Sequence, residues 1–190
     1  MWAAKLFGPL DIRLVECPIP AIGEDELLLK ISAAAICGSD LRMIANGYEG
    51  VDEAHPLTLG HEVGGVIEKV GRNVEGYREG MRVSVAPNFG CGVCNECVRG
   101  DTHLCANYQA FGINMDGGFA EYMRVDARMI RQGNLMLLPE GFPMDVAAIL
   151  EPFSCVMNGQ EQADVHLNDT VLIIGAGPIG VMHAMLAKAR

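Results

Sequence analysis

The sequence has no apolar run of the about 18 residues needed to cross a bilayer. Its first residues, MWAAKLFGPLDIRLVE, lack the basic start and long apolar stretch of a secretory leader. Positive charge is scarce: 14 Lys and Arg stand against 24 Asp and Glu, a formal net charge of −10. That balance disfavours nucleic acid or an anionic membrane as the main partner, and says little about a small neutral substrate. There is no internal repeat and no low-complexity linker. An even cysteine count is also missing, since seven would leave one over in a complete disulfide framework. A cytoplasmic protein is expected, and in that compartment close cysteines usually bind metal.

What is present suffices for a real core. The chain has 190 residues, 50% of them apolar, enough for one full domain and part of another. The stretch CGVCNECVRGDTHLC (91–105) places Cys91, Cys94 and Cys97 three apart, with Cys105 eight further on. Neighbours three apart in a tight turn can aim their sulfurs at one centre, whereas a disulfide in a Cys-x2-Cys loop forms only with strain. Four thiolates suit a tetrahedral Zn²⁺ with no open position, a structural site. Gly90, Gly92 and Gly100 supply the backbone freedom for the wrap. A rubredoxin-like iron site would use the same donors, although paired hairpins are more usual there.

The first 140 residues read as short strands divided by Gly, Pro and Asp. The clearest are 27–34, 61–70, 82–87 and 119–125, a pattern that predicts a mostly β, barrel-like domain. After Pro143 the apolar spacing becomes helical. TVLIIGAGPIGVMHAMLAKAR (170–190) then reads as a buried strand over 170–174, a glycine turn, and a helix from Pro178. Gly175, Gly177 and Gly180 form G-x-G-x-x-G in that setting, with Pro178 and Ile179 inside it. The first glycine makes the tight turn, the second admits a pyrophosphate to the backbone, and the third permits close helix–strand packing. This is the first βα unit of a dinucleotide-binding fold, and the acidic ribose-binding residue would lie beyond Arg190.

Two further stretches offer metal-capable groups beside glycines: ICGSD (36–40), with Cys37, and GHEVGGVIEKVG (60–71), with His61 and Glu62. Here the residues reach a resemblance. G-H-E-x2-G-x5-G-x2-V from Gly60 to Val74 resembles the zinc signature of medium-chain alcohol dehydrogenases. The cysteine lobe resembles their structural zinc loop, and GGFAEYMRV the strand after it. The combination CGSD, GHE and LEP is most similar to the sorbitol (polyol) and threonine dehydrogenase branch.

The resemblance implies a GroES-like catalytic domain over 1–155, with the zinc lobe near 88–108, and a truncated Rossmann domain starting at 156–190. It implies Cys37 and His61 as catalytic zinc ligands, Glu62 as a ligand or a carboxylate just behind one, and Glu151 as the remaining contact. A thiolate, an imidazole and a carboxylate leave one position open for an alcohol oxygen. Ser39 would pass the hydroxyl proton outward. It further implies two zinc ions per chain, NAD or NADP as hydride acceptor, an alcohol or polyol substrate, and a homo-oligomer. Many members carry a histidine five residues after the zinc cysteine; this chain has Arg42 there. His55 and His103 read as surface or loop residues, and Cys17 and Cys155 as ordinary buried thiols. The alternative is a truncated zinc-binding module without enzymatic activity of its own.

Overall fold

A computed structural model describes residues 1–190. Strands β1 (Trp2–Gly8) and β2 (Asp11–Glu16) form a hairpin. Then come β3 (Leu27–Ala35), helix α1 (Gly38–Asn46), β4 (Leu57–Thr58), β5 (Glu62–Val70) and β6 (Arg82–Val85). Short β7 (Asn88–Phe89) and β8 (Gln109–Ala110) bracket the cysteine lobe, which holds α2 (Asn95–Arg99) and a 3-10 turn, Thr102–Leu104. β9 (Tyr122–Val125), α3 (Ala127–Arg131) and β10 (Leu135–Leu137) complete the β domain. Helices α4 (Met144–Ala148), α5 (Leu150–Gln162) and α6 (Pro178–Ala189) follow.

The strands assemble into a three-stranded sheet, β2-β1-β4, a five-stranded sheet, β10-β6-β5-β3-β9, and the ribbon β7-β8. All the pairings are antiparallel. The two larger sheets meet where Ala3 bridges Ala120 and Ala4 donates to the Phe119 carbonyl at 2.7 Å. The five-stranded sheet, β7 and α3 supply most of a core of twelve buried apolar residues that includes Leu27, Leu29, Val63, Ile67, Val83 and Phe111. Leu6, Met43, Leu57 and Leu59 form a smaller cluster under α1. The mostly β domain expected from the sequence is therefore present, with the strands at 27–34 and 61–70 nearly as read. Those at 82–87 and 119–125 are shorter, at Arg82–Val85 and Tyr122–Val125.

Antiparallel pairing of β3 with β5 ends at Ala35 opposite Glu62. That register brings the residues just after β3 beside those at the start of β5, which fixes where the chemistry sits. Two glycines make the region compact. A Cβ on Gly64 would lie 2.7 Å from the Ala147 Cβ and 2.9 Å from the Met144 carbonyl, so its absence lets α4 rest directly on β5. Gly117 abuts the carbonyl of Gly60, and its N–H donates to the Thr58 carbonyl at 2.8 Å. Gly118 and Phe119 donate to the carbonyls of Gly60 and Leu59, so this loop clamps the backbone that leads into His61.

One expectation fails. Residues 170–174 carry no strand, and Leu172 and Ile174 are 86% and 92% exposed rather than buried. β propensity alone cannot hold a strand: it needs a neighbour to take its N–H and C=O groups. None is within reach here. The helix after it does form, with Pro178 as its first residue as expected. It packs on α5, where the buried Gln160 donates to the His183 carbonyl at 2.8 Å. Helix α5 runs unbroken through 155 and 156.

Two outcomes follow. Gly117→Ala should lower stability in urea unfolding by roughly 1–3 kcal/mol, because the new methyl group meets backbone that cannot yield. In hydrogen exchange, amides of 170–176 should exchange almost freely while those of the last turns of α6 are protected.

Candidate metal centres

The first centre lies at the β3–β5 end. Cys37 is the N-cap of α1, with extended backbone; His61 immediately precedes β5 and Glu62 opens it. Their donor atoms all lie within 4.8 Å of one another, and His61 and Glu62 are buried. Asp40, fully buried in the first turn of α1, joins the two segments. Its Oδ2 accepts from the Cys37 N–H at 2.8 Å, and its Oδ1 faces His61 Nδ1 at 3.6 Å. That gap is longer than a hydrogen bond, and both atoms are buried without a partner. A small rotation of the ring closes it. Nδ1 would then carry the proton, and Nε2 would be left free to face Cys37 and Glu62. This is the support a metal-binding histidine requires.

Sequence reasoning assigned no role to Asp40. Its signal was the acidic residue three places after a helix-capping position in CGSD, where it can reach back to the cap N–H.

Charge around the centre is strongly coupled. Burial alone would pull the His61 imidazole down, but Asp40 and then Cys37 outweigh it and raise its pKa to about 9. The Glu151 carboxyl is pushed up by burial, with His61 opposing and Glu62 adding to the rise. Glu151, in the first turn of α5, thus lies within the field of both residues, although it is not part of the three-donor group. Ser39 Oγ is 3.3 Å from His61 Nε2. The set of one thiol, one imidazole and one carboxylate fits Zn²⁺ with a coordination position left over.

The second centre is the lobe. Sγ atoms of Cys91, Cys94, Cys97 and Cys105 lie within 4.8 Å of one another, and every cysteine of the chain is a free thiol. The Cys91 and Asn107 N–H groups both point at Cys105 Sγ, each at 3.3 Å. A Cβ on Gly90 would run into Cys97 Sγ, so glycine there leaves room for the sulfurs to converge. The left-handed glycines 92 and 100 turn the chain before and after α2. Cys91 is drawn down to about 6 by the backbone N–H groups of Val93 and Cys94. Cys94 has the help of the Cys97 N–H, yet is pushed up to about 12 by Glu96 and the neighbouring thiols. Four thiolates this close need a cation among them, which fits a closed zinc site with four sulfur ligands.

A third feature stands apart. In the GAGPIG turn Gly175 is left-handed, with φ 114°, and Gly177 caps α6. A Cβ on Gly180 would collide with the Gly175 carbonyl, so the third glycine is needed for the turn to close. The turn exists even though the strand before it does not. Of the remaining residues, His55 is exposed and paired with Asp52 at 3.1 Å, and His103 is exposed. Cys155 corrects the expectation of a buried thiol: it is exposed, 3.9 Å from Glu151 Oε1. Cys17 is half-buried.

A β domain that closes one thiol cluster in a lobe and opens a mixed cluster at a strand end is a domain built for two metal ions. Residues 23–136 match the Alcohol dehydrogenase GroES-like domain, and the chain belongs to that family. It is 36% identical over 192 residues to sorbitol dehydrogenase of Bacillus subtilis (strain 168), covering 100% of this chain and 53% of that one. It is 40% identical over 187 residues to L-threonine 3-dehydrogenase of Shewanella frigidimarina (strain NCIMB 400), covering 97% and 53%. Among solved structures, a short chain alcohol dehydrogenase from Escherichia coli CFT073 complexed with cofactor NADH superposes with a TM-score of 0.86. The two are 36% identical, over 99% of this chain and 53% of that one. The chain spans about half the length of the curated relatives it matches. The branch inferred from CGSD, GHE and LEP is thus the one these relatives represent.

Asp40→Asn should lower divalent-metal affinity at the mixed cluster by about 10–100-fold, the usual cost of removing a carboxylate behind a ligating histidine. The lobe should keep its metal, so elemental analysis after mild chelation would show one ion lost and one retained.

Proposed function

We propose that this chain is the catalytic domain of a zinc-dependent, NAD(P)-linked dehydrogenase that oxidises a secondary alcohol, a polyol or a hydroxy amino acid. The observation that carries the reading is the convergence of Cys37, His61 and Glu62 around one point, with Asp40 buried behind them. Zinc held there would supply Lewis acidity to an alcohol oxygen, and NAD(P)⁺ a hydride acceptor. Cys37, His61 and Glu62 hold and orient, and Asp40 fixes the ring so that Nε2 faces inward. Ser39, 3.3 Å from that nitrogen, takes the substrate hydroxyl proton and passes its own toward solvent. Glu151, its carboxyl pushed up by burial, contacts the centre through water and closes its α5 side. The turn of Gly175, Gly177, Pro178, Ile179 and Gly180 receives a cofactor pyrophosphate at the α6 N-terminus, with Gly177, Ile179 and Gly180 presenting their backbone N–H groups and Pro178 presetting the first helical turn.

The four-cysteine lobe acts structurally in this reading, and the division between catalytic and cofactor-binding parts falls near 155/156. No helix of the chain is long and apolar enough to cross a membrane. Seven free thiols support a cytoplasmic setting, and we place the protein there as a homo-oligomer acting on a small molecule. The exposure of Leu172 and Ile174 favours a second reading for the 190 residues alone, as a metal-binding module with little turnover.

Protein purified without added zinc should contain two equivalents of metal per chain. Cys37→Ser should leave one, held in the lobe. Cys94→Ser should lower thermal stability and leave the mixed site partly filled. Fused to the cofactor-binding half of the Bacillus subtilis sorbitol dehydrogenase, the chain should reduce NAD⁺ with a polyol, and Cys37→Ser should abolish this. No bound metal, with all seven thiols titratable in the folded protein, would overturn the reading.

A further inference from the structure

Cys155 is exposed where a buried thiol was expected, and the function proposed above leaves it unused. It stands in α5 four residues after Glu151, so the two side chains lie one above the other on a single face of the helix. Cys155 Sγ is 3.9 Å from Glu151 Oε1, with the thiol donating, and no other hydrogen bond reaches that carboxylate. The adjacent Ser154 hydroxyl turns instead to the Glu151 backbone carbonyl, at 2.6 Å. This face of α5 looks onto the mixed centre. Glu151 feels the charges of His61 and Glu62, and burial, Glu151 and Cys37 push the Cys155 thiol up.

The carboxylates around the centre differ in what holds them. Glu62 is one of the three converging donors, and Asp40 is tied to the Cys37 N–H at 2.8 Å. Glu151 lies outside the three-donor group, half-buried, with only the thiol to restrain it. A carboxylate so placed, beside a divalent ion with a free coordination position, would swing onto that ion, because each supplies what the other lacks.

We propose that Cys155 is a positioning residue that holds Glu151 back on α5 and so keeps the fourth coordination position of the mixed centre open. The inference rests on the metal-centre reading above and adds the residue that preserves the open position. A thiol is a weak donor, so it biases Glu151 without locking it. The carboxylate can reach the ion while the position is free, and returns to Cys155 when an incoming ligand takes its place.

The test uses the whole chain with zinc kept in the lobe and Co²⁺ exchanged into the mixed centre, where its visible spectrum reports a change of ligand. Imidazole is the probe, a small neutral ligand for the open position. In Cys155→Ala, half-saturation by imidazole should need a roughly three- to ten-fold higher concentration than in the wild-type chain, the range of one net hydrogen bond. In a Glu151→Gln background the same change should have no effect, because the competing carboxylate is gone. Cys155 is exposed, so its loss costs the fold little. Equal or lower half-saturation in Cys155→Ala would overturn the proposal, as would a shift that persists beside Glu151→Gln; either result leaves the metal centre standing. A wild-type spectrum that imidazole does not alter would show the position closed, and would overturn it too. If the wild-type chain takes up no Co²⁺ outside the lobe, the centre itself falls and this proposal with it.

Discussion

The pairing of β3 with β5 is the constraint on which the rest depends. Side chains alternate along a strand, so a slip of one residue would send every inward group outward. With Ala35 opposite Glu62, the chain leaving β3 turns into α1 beside the segment entering β5. Cys37 and His61 are then neighbours without any long-range adjustment. Gly64 extends the same logic one layer further. Lacking a Cβ, it lets α4 sit on the strand, and α5 begins directly after it with Glu151 in its first turn. One register and one missing methyl group thus determine the position of the four groups around the centre.

The two clusters solve the same electrostatic problem in different ways. In the lobe, four like groups crowd together and only a cation relieves them, so the backbone N–H groups aimed at Cys91 and Cys105 act as a partial substitute. At the strand ends the donors differ, and the histidine brings its own counter-ion in Asp40. The orphaned pair of Asp40 Oδ1 and His61 Nδ1 is the one place in this centre where a buried polar contact is incomplete. Such a gap is costly in a stable core and tolerable where a bound ion sets the final geometry.

How much of this the sequence could disclose depends on how local each feature is. The lobe lies within fifteen consecutive residues, and its spacing announced it. The mixed centre joins segments 24 residues apart, from Cys37 to His61, and was legible through a resemblance rather than through periodicity. Asp40 was passed over because its role is visible only when α1 docks against His61. The β1–β2 hairpin lacks the Asn-Gly or Asp-Gly signal of a tight turn: Pro9-Leu10 makes it, with Leu10 at φ 60°. Residues 170–174 were misread because strand propensity was taken for strand pairing. No window of sequence shows whether a neighbour exists.

The locality of the lobe has a consequence for how the molecule is made. Its four sulfurs are joined by short loops, so closing them around an ion needs no sheet, no core and no other helix. The mixed centre cannot form until β3, β5 and α1 have met, and Glu151 arrives from more than a hundred residues beyond Cys37. Contacts that far apart in the chain form late. The lobe can therefore take up metal as soon as its fifteen residues are free, without waiting for the sheets, and it can act as a closed pin between β6 and β9 while the strands on either side are still finding their partners.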